Sequence, residues 1–135
     1  MSGLNPHFKA ALQSALERYE TPFYAYDLAS VQARVGALRA AFPKAEVFFA
    51  MKANPRLGIL RRLLGWGVFL EAVSLGEVRR AYAAGFKRTE VLLNGPIKTP
   101  AALAELKELG VPLLGLDSLA DAERVARHLP GSHVL

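Results

Sequence analysis

Five apolar segments recur at nearly constant intervals along the chain, and this period constrains the fold more than any other feature. Val47, Val68, Val91, Leu113 and Val134 mark them at steps of 21, 23, 22 and 21 residues. Each of the first four is short enough for a strand and is followed by a segment with helical apolar spacing. Between Val47 and Val68, Leu57, Leu60, Leu63 and Leu64 form such a face, and Gly65 and Gly67 end it. Ser74-Leu75-Gly76-Glu77, Thr99-Pro100 and Asp117-Ser118 read as the starts of the following helices, the last with Leu119, Ala122, Val125, Ala126 and Leu129 on its buried face. Strands that are almost continuously apolar, each joined to the next by a helix, predict a parallel sheet covered by helices. An open doubly wound sheet and a (β/α)8 barrel both satisfy this pattern. A complete barrel needs at least ~200 residues, so 135 residues supply about half of one. The chain stops within a strand pattern, which suggests part of a larger protein.

The segment before the first period differs. Phe8, Leu12, Ala15, Leu16 and Tyr19 lie on one helical face, and Val31, Val35, Leu38 and Phe42 on a second, which stops before Pro43. Thr21-Pro22-Phe23-Tyr24-Ala25-Tyr26 between them reads as a short extended lead-in strand. The expected organisation is therefore residues 1–44 as helices and lead-in, and 45–135 as four βα units and the start of a fifth strand.

Composition removes several classes of function. With 52% hydrophobic and 21% charged residues the chain has material for a core. It lacks cysteine, and His7, His128 and His133 show no ligand spacing, so no metal site is expected. No apolar run approaches the ~20 residues of a membrane span. The first residues lack a basic-then-apolar leader, and a cytoplasmic location is the expectation. A charge of +5, from 17 basic and 12 acidic residues, is spread along the chain rather than gathered into a nucleic-acid footprint. Neither a nucleotide-binding glycine fingerprint nor a Walker motif is present.

The candidate for chemistry is Lys52, in Met51-Lys52-Ala53-Asn54. It follows an apolar strand and precedes a helix, at the edge where parallel α/β folds bind ligands. Strand alternation places it with Phe48 and Ala50. On a barrel's inner face, desolvation would disfavour its ammonium and leave an amine able to attack a carbonyl. The alternative is a side chain that snorkels past the rim into water. Glu71 lies near the rim of the second strand. Glu71 and Ser74 have opposite parity, so they reach the same site only if the strand ends between them. Ser74 and Glu77 also have the spacing of a capping box, and Asn54 reads as a helix N-cap.

Phe49-Ala50-Met51-Lys52-Ala53-Asn54-Pro55 resembles the cofactor-lysine motif of the barrel-type decarboxylases that use pyridoxal 5'-phosphate (PLP). Further similarities follow in the same order: Thr21 to Asp27 to the lead-in, Glu71 to Glu77 to the second-strand motif, Arg80-Ala81 with Ala84-Gly85-Phe86 to the next helix, Asn94 to Thr99 and Asp117-Ser118-Leu119 to the ends of strands three and four. The chain resembles the diaminopimelate decarboxylases most, with ornithine- and arginine-type decarboxylases as the alternative. The resemblance implies a partial (β/α)8 barrel in which Lys52 is catalytic and holds PLP, with Glu71 and Ser74 beside the cofactor. It further implies an amino-acid substrate, a homodimer and a role in lysine biosynthesis. The family's later site residues lie outside this sequence, so the 135 residues alone are expected to be inactive; an inert half-barrel that assembles through its sheet is the non-enzymatic alternative. Two departures stand out. Glu71 occupies a position where the family usually has Asp, and Leu75 one where it has Gly. No binding role is carried over to Lys98.

Overall fold

The computed structural model describes residues 5–95 and 98–135. Pro96 and Ile97 of the third-strand motif lie outside them. The chain forms two compact units, one reaching to Ala45 and the other Glu46–Leu135.

The first unit contains α1 (Pro6–Arg18) and α2 (Leu28–Ala41). Asn5 caps α1 by accepting from the His7 N–H, and Pro6 occupies the first turn, where its missing N–H costs nothing. Asp27 caps α2 by accepting from both the N–H and the hydroxyl of Ser30. These bonds, the hydroxyl first, hold the Asp27 carboxyl below its ordinary value. The aromatic lead-in does not form the expected strand. Thr21 and Pro22, joined by a cis bond, make a bend, and residues 23–27 have no strand partner.

The second unit alternates strand and helix: β1 (Phe48–Ala50), α3 (Leu57–Gly65), β2 (Phe69–Ala72), α4 (Leu75–Ala84), β3 (Val91–Leu93), α5 (Pro100–Leu109), β4 (Leu113–Leu114) and α6 (Leu119–His128). Single 3-10 turns, Met51–Ala53 and Arg88–Glu90, follow β1 and precede β3. The strands are all parallel and lie in chain order, β1-β2-β3-β4. A doubly wound sheet reverses its order at a switch point; this one does not, and its sequence of neighbours is that of a barrel arc. Val134, expected to open a fifth strand, makes a single parallel bridge to Leu114.

Register separates two faces. Phe49, Leu70, Ala72, Val91, Leu93 and Leu114 share one face by their pairing, and all but Phe49 are buried. Against it lie α3, α4, α5 and α6, each packed on the next, contributing Leu60, Leu63, Val78, Ala81, Leu103, Leu106 and Val125. Burial of each large aliphatic chain stabilises the fold by about 1.5–3 kcal/mol. The opposite face carries Phe48, Ala50, Phe69, Glu71, Leu92 and Leu113, none of them fully buried. Phe48 and Phe69 meet edge to face with centroids 5.3 Å apart.

Several sequence expectations need local correction. Asn54 does not cap α3. Arg56 is the capping residue, and the Asn54 side chain accepts from the Arg56 N–H in a turn just before it. The proline that follows Asn54 keeps it extended and delays the helix. β4 is shorter than its apolar run; Pro112 has no N–H to give to a ladder. The buried face of α6 is Asp121, Val125 and Leu129, while Leu119 is 85% exposed.

Candidate active site

The C-terminal ends of the strands bring together the candidate residues Lys52, Glu71 and Ser74. Lys52 sits in the 3-10 turn directly after β1, because the strand ends at Ala50. Strict alternation with Phe48 and Ala50 therefore does not extend to it. Lys52 is exposed, not sheltered as the sequence suggested. The sheet face beside it, with Phe48, Ala50, Phe69 and Glu71, is itself only half-buried. Its amine has no hydrogen bond or ion pair among the described residues.

Glu71 stands on the next strand, in register with Ala50 on one side and Leu92 on the other. Its Oε1 accepts a 2.9 Å hydrogen bond from the Asn94 side-chain amide, which leaves the end of β3. β2 ends at Ala72, so the condition for Ser74 to reach the same edge is met. The Ser74 hydroxyl is engaged as the cap of α4, accepting from the Glu77 N–H at 3.3 Å. Glu77 reaches back to the Val73 N–H at 2.7 Å, one residue beyond the reciprocal partner of a capping box.

The third and fourth turns hold an arrangement that spacing alone did not reveal. Lys98 is 1% exposed. Its Nζ donates to the Gly95 carbonyl at 2.7 Å and to Asp121 Oδ2 at 2.7 Å, with Asp117 Oδ2 at 3.5 Å. Arg124 donates to the Lys98 carbonyl at 3.2 Å and approaches Asp121 Oδ1 at 3.6 Å. A buried charge persists only when paired in this way. Asp117 and Asp121 looked like ordinary helix-start acids. The only hint of the cluster was a lysine in an otherwise uncharged turn.

The arrangement suits a carbonyl ligand. A primary amine with no partner among the described residues stands at the C-terminal edge of a parallel sheet, the edge where such folds bind ligands, with a carboxylate and an amide on adjacent strand ends. The aldehyde of PLP is chemically matched to such an amine. No group of three or more metal-binding side chains occurs among the described residues, and no described helix is long and apolar enough to cross a membrane.

Comparison with known proteins identifies the family and the fold. Residues 28–135 match the family described as pyridoxal-dependent decarboxylase, pyridoxal binding domain. The diaminopimelate decarboxylase of Deinococcus radiodurans is 43% identical over 125 residues, covering 93% of this chain and 32% of its own length. Lysine/ornithine decarboxylase from Vibrio vulnificus, solved with putrescine, superposes with a TM-score of 0.86 over 98% of this chain and 37% of that one; at 21% identity it bears on the fold alone. Diaminopimelate decarboxylase from Helicobacter pylori, complexed with L-lysine, gives a TM-score of 0.76 at 25% identity, covering 87% and 30%. The chain spans about a third of the length of these relatives and matches the N-terminal part of their TIM barrels.

Proposed function

The chain belongs to the pyridoxal-dependent decarboxylases, and from that premise we propose that it supplies the N-terminal, cofactor-lysine part of a diaminopimelate decarboxylase, with Lys52 as the residue that holds PLP. The observation that carries this reading is the amine of Lys52, placed where the first strand ends and without a partner among the described residues. When bound, PLP provides an electron sink for the pair left behind as an α-carboxylate departs as CO2. The tasks of this chain's own residues are narrower. Lys52 anchors the cofactor through its amine, and the 3-10 turn fixes where that amine leaves the sheet. Glu71 supplies negative charge on the adjacent strand and orients what lies beside it. Ser74 holds the first turn of α4 in place at the same strand edge, where it would flank the cofactor, with its hydroxyl accepting from the Glu77 N–H.

Diaminopimelate as substrate is supported by the 43% identity to the Deinococcus enzyme, and lysine biosynthesis, a cytoplasmic location and a homodimer go with that reading. Borohydride reduction in the presence of PLP, followed by peptide mapping, tests the cofactor role. Incorporation at Lys52 that vanishes in Lys52→Ala supports it; incorporation elsewhere, or none, ends it. Release of CO2 from diaminopimelate, compared with lysine, ornithine and arginine, by the protein containing this chain tests the substrate.

A second reading is favoured by the half-exposed Phe48, Phe69, Leu92 and Leu113: a half-barrel that associates through its open sheet. Mass in solution that rises with concentration, without PLP uptake, distinguishes it.

A further inference from the structure

Lys52 and Glu71 leave adjacent strands at the same edge, and nothing between Ala50 and Lys52 separates them along the chain but Met51. An ammonium and a carboxylate so placed are expected to pair, and a pair would hold the amine in its charged, unreactive form. Yet none of the ion pairs among the described residues involves either of them. Glu71 is instead bonded to the Asn94 amide.

The Asn94 side chain is built into its position. Its backbone N–H donates to the Ala72 carbonyl at 2.8 Å, locking the end of β3 to the end of β2. Gly115 makes room for the carboxamide: a Cβ there would lie 2.5 Å from Asn94 Oδ1 and 3.1 Å from its Cγ. Gly95, next in the chain, has no room for a Cβ either, which would meet the Val73 carbonyl oxygen at 2.4 Å. The Gly95 carbonyl is in turn gripped by buried Lys98. With a carboxylate as its neighbour, the amide must present its N–H side to Glu71, since the oxygen side would repel it.

We propose that Asn94 is a positioning residue that draws the Glu71 carboxylate toward β3 and so keeps the Lys52 amine free to condense with an aldehyde. The functional meaning of that freedom rests on the reading of Lys52 as the cofactor lysine. In the condensation the amine nitrogen bonds to the carbonyl carbon, and the carbonyl oxygen leaves as water with the two amine protons. A carboxylate held against the ammonium withholds the nitrogen lone pair from the first of these steps.

The test uses the amine itself. Formaldehyde with cyanoborohydride methylates Lys52 through the same condensation, the cyanoborohydride giving hydride to the carbon, and peptide mass mapping reads the rate at that residue. Asn94→Ala is expected to slow methylation of Lys52 about two- to fivefold, the range set by a competing exposed ion pair. In a Glu71→Gln background the same Asn94→Ala change should leave the rate as it is in Glu71→Gln alone. An unchanged rate in Asn94→Ala overturns the proposal. So does an equal slowing in both backgrounds, which would mean that Asn94 acts through the fold. If Asn94→Ala does not fold, Asn94→Ser takes its place under the same two criteria. The side-chain amide resonances of Asn94 provide a readout in the otherwise unaltered chain: they should move in Glu71→Gln, and their failure to move sinks the proposal. Should PLP not be trapped at Lys52 while formaldehyde follows the expected order, the cofactor reading fails and the positioning role stands.

Discussion

Lys52 and Lys98 both follow strand ends in the same sheet, yet their surroundings are opposite. Lys52 lies in a 3-10 turn, exposed and without a hydrogen-bond or ion-pair partner among the described residues. Lys98 is enclosed between the third turn and α6 and has three oxygens around its Nζ. A lysine held by two carboxylates and a carbonyl is a fixed cation that ties elements together. A lysine with no hydrogen-bond or ion-pair partner among the described residues ties no elements together and leaves its side chain accessible from solvent. The residue type therefore says little about role; the number of fixed acceptors around the amine decides it.

Removing the amine of Lys98 is the strongest way to break this contrast. Lys98→Met leaves the buried Asp121 without its hydrogen-bonded cation, with only the longer 3.6 Å approach of Arg124, and should lower unfolding free energy in urea by about 3–5 kcal/mol. Lys98→Met combined with Asp121→Leu should recover most of that loss, since a matched apolar pair has no charge to desolvate. A loss under 1 kcal/mol in the single variant would mean that the cluster does not hold the turn.

Gly95→Ala attacks the same turn from the backbone. Its Cβ would sit 2.4 Å from the Val73 oxygen, so the turn must shift, at a cost of about 1–3 kcal/mol. Thermal denaturation measures it; an unchanged midpoint would show that the turn is free to adjust.

Tyr82 offers a milder case of a polar group held between helices. Its hydroxyl donates to the Gly110 carbonyl at 2.8 Å. Burial raises its pKa from 10.0, opposed by the nearby Arg88 charge. A raised value means that its contribution is complete below about pH 10 and is lost as pH climbs through the folded value. Stability in urea should therefore fall as pH rises above about 10. Tyr82→Phe should lose about 1 kcal/mol at neutral pH and show a shallower alkaline decline. An equally steep decline in the variant would assign the titration to another group.

The smallest effect on stability is expected at Lys52. Lys52→Ala removes no hydrogen bond or ion pair among the described residues and should change unfolding free energy by under ~0.5 kcal/mol, while abolishing PLP trapping. A loss comparable with that of Lys98→Met would erase the distinction between the two lysines.

The regular spacing of the apolar segments was enough to place four strands, the helices between them and their order along the chain. Helix starts were equally legible at Thr99, Ser118 and Ser74, where one side chain accepts from an N–H three residues on. The motif around Lys52 gave the family. What spacing could not reveal were the pairings of residues distant in the chain. Lys98 with Asp121 and Glu71 with Asn94 are each 23 residues apart, one βα period, and meet only because neighbouring strands are in parallel register. A 3.6-residue period marked Leu119 as buried and passed over Asp121; the reverse is true, because Lys98 brings a compensating charge to that spot.

The sequence by itself determined where hydrogen bonds close within a turn, since these depend on residues a few positions apart. Tertiary structure alone decided which sheet face is covered, which lysine is paired and which carboxylate is held. Those outcomes depend on which side chains from different strands and helices share the same few ångströms, and on how much water remains among them.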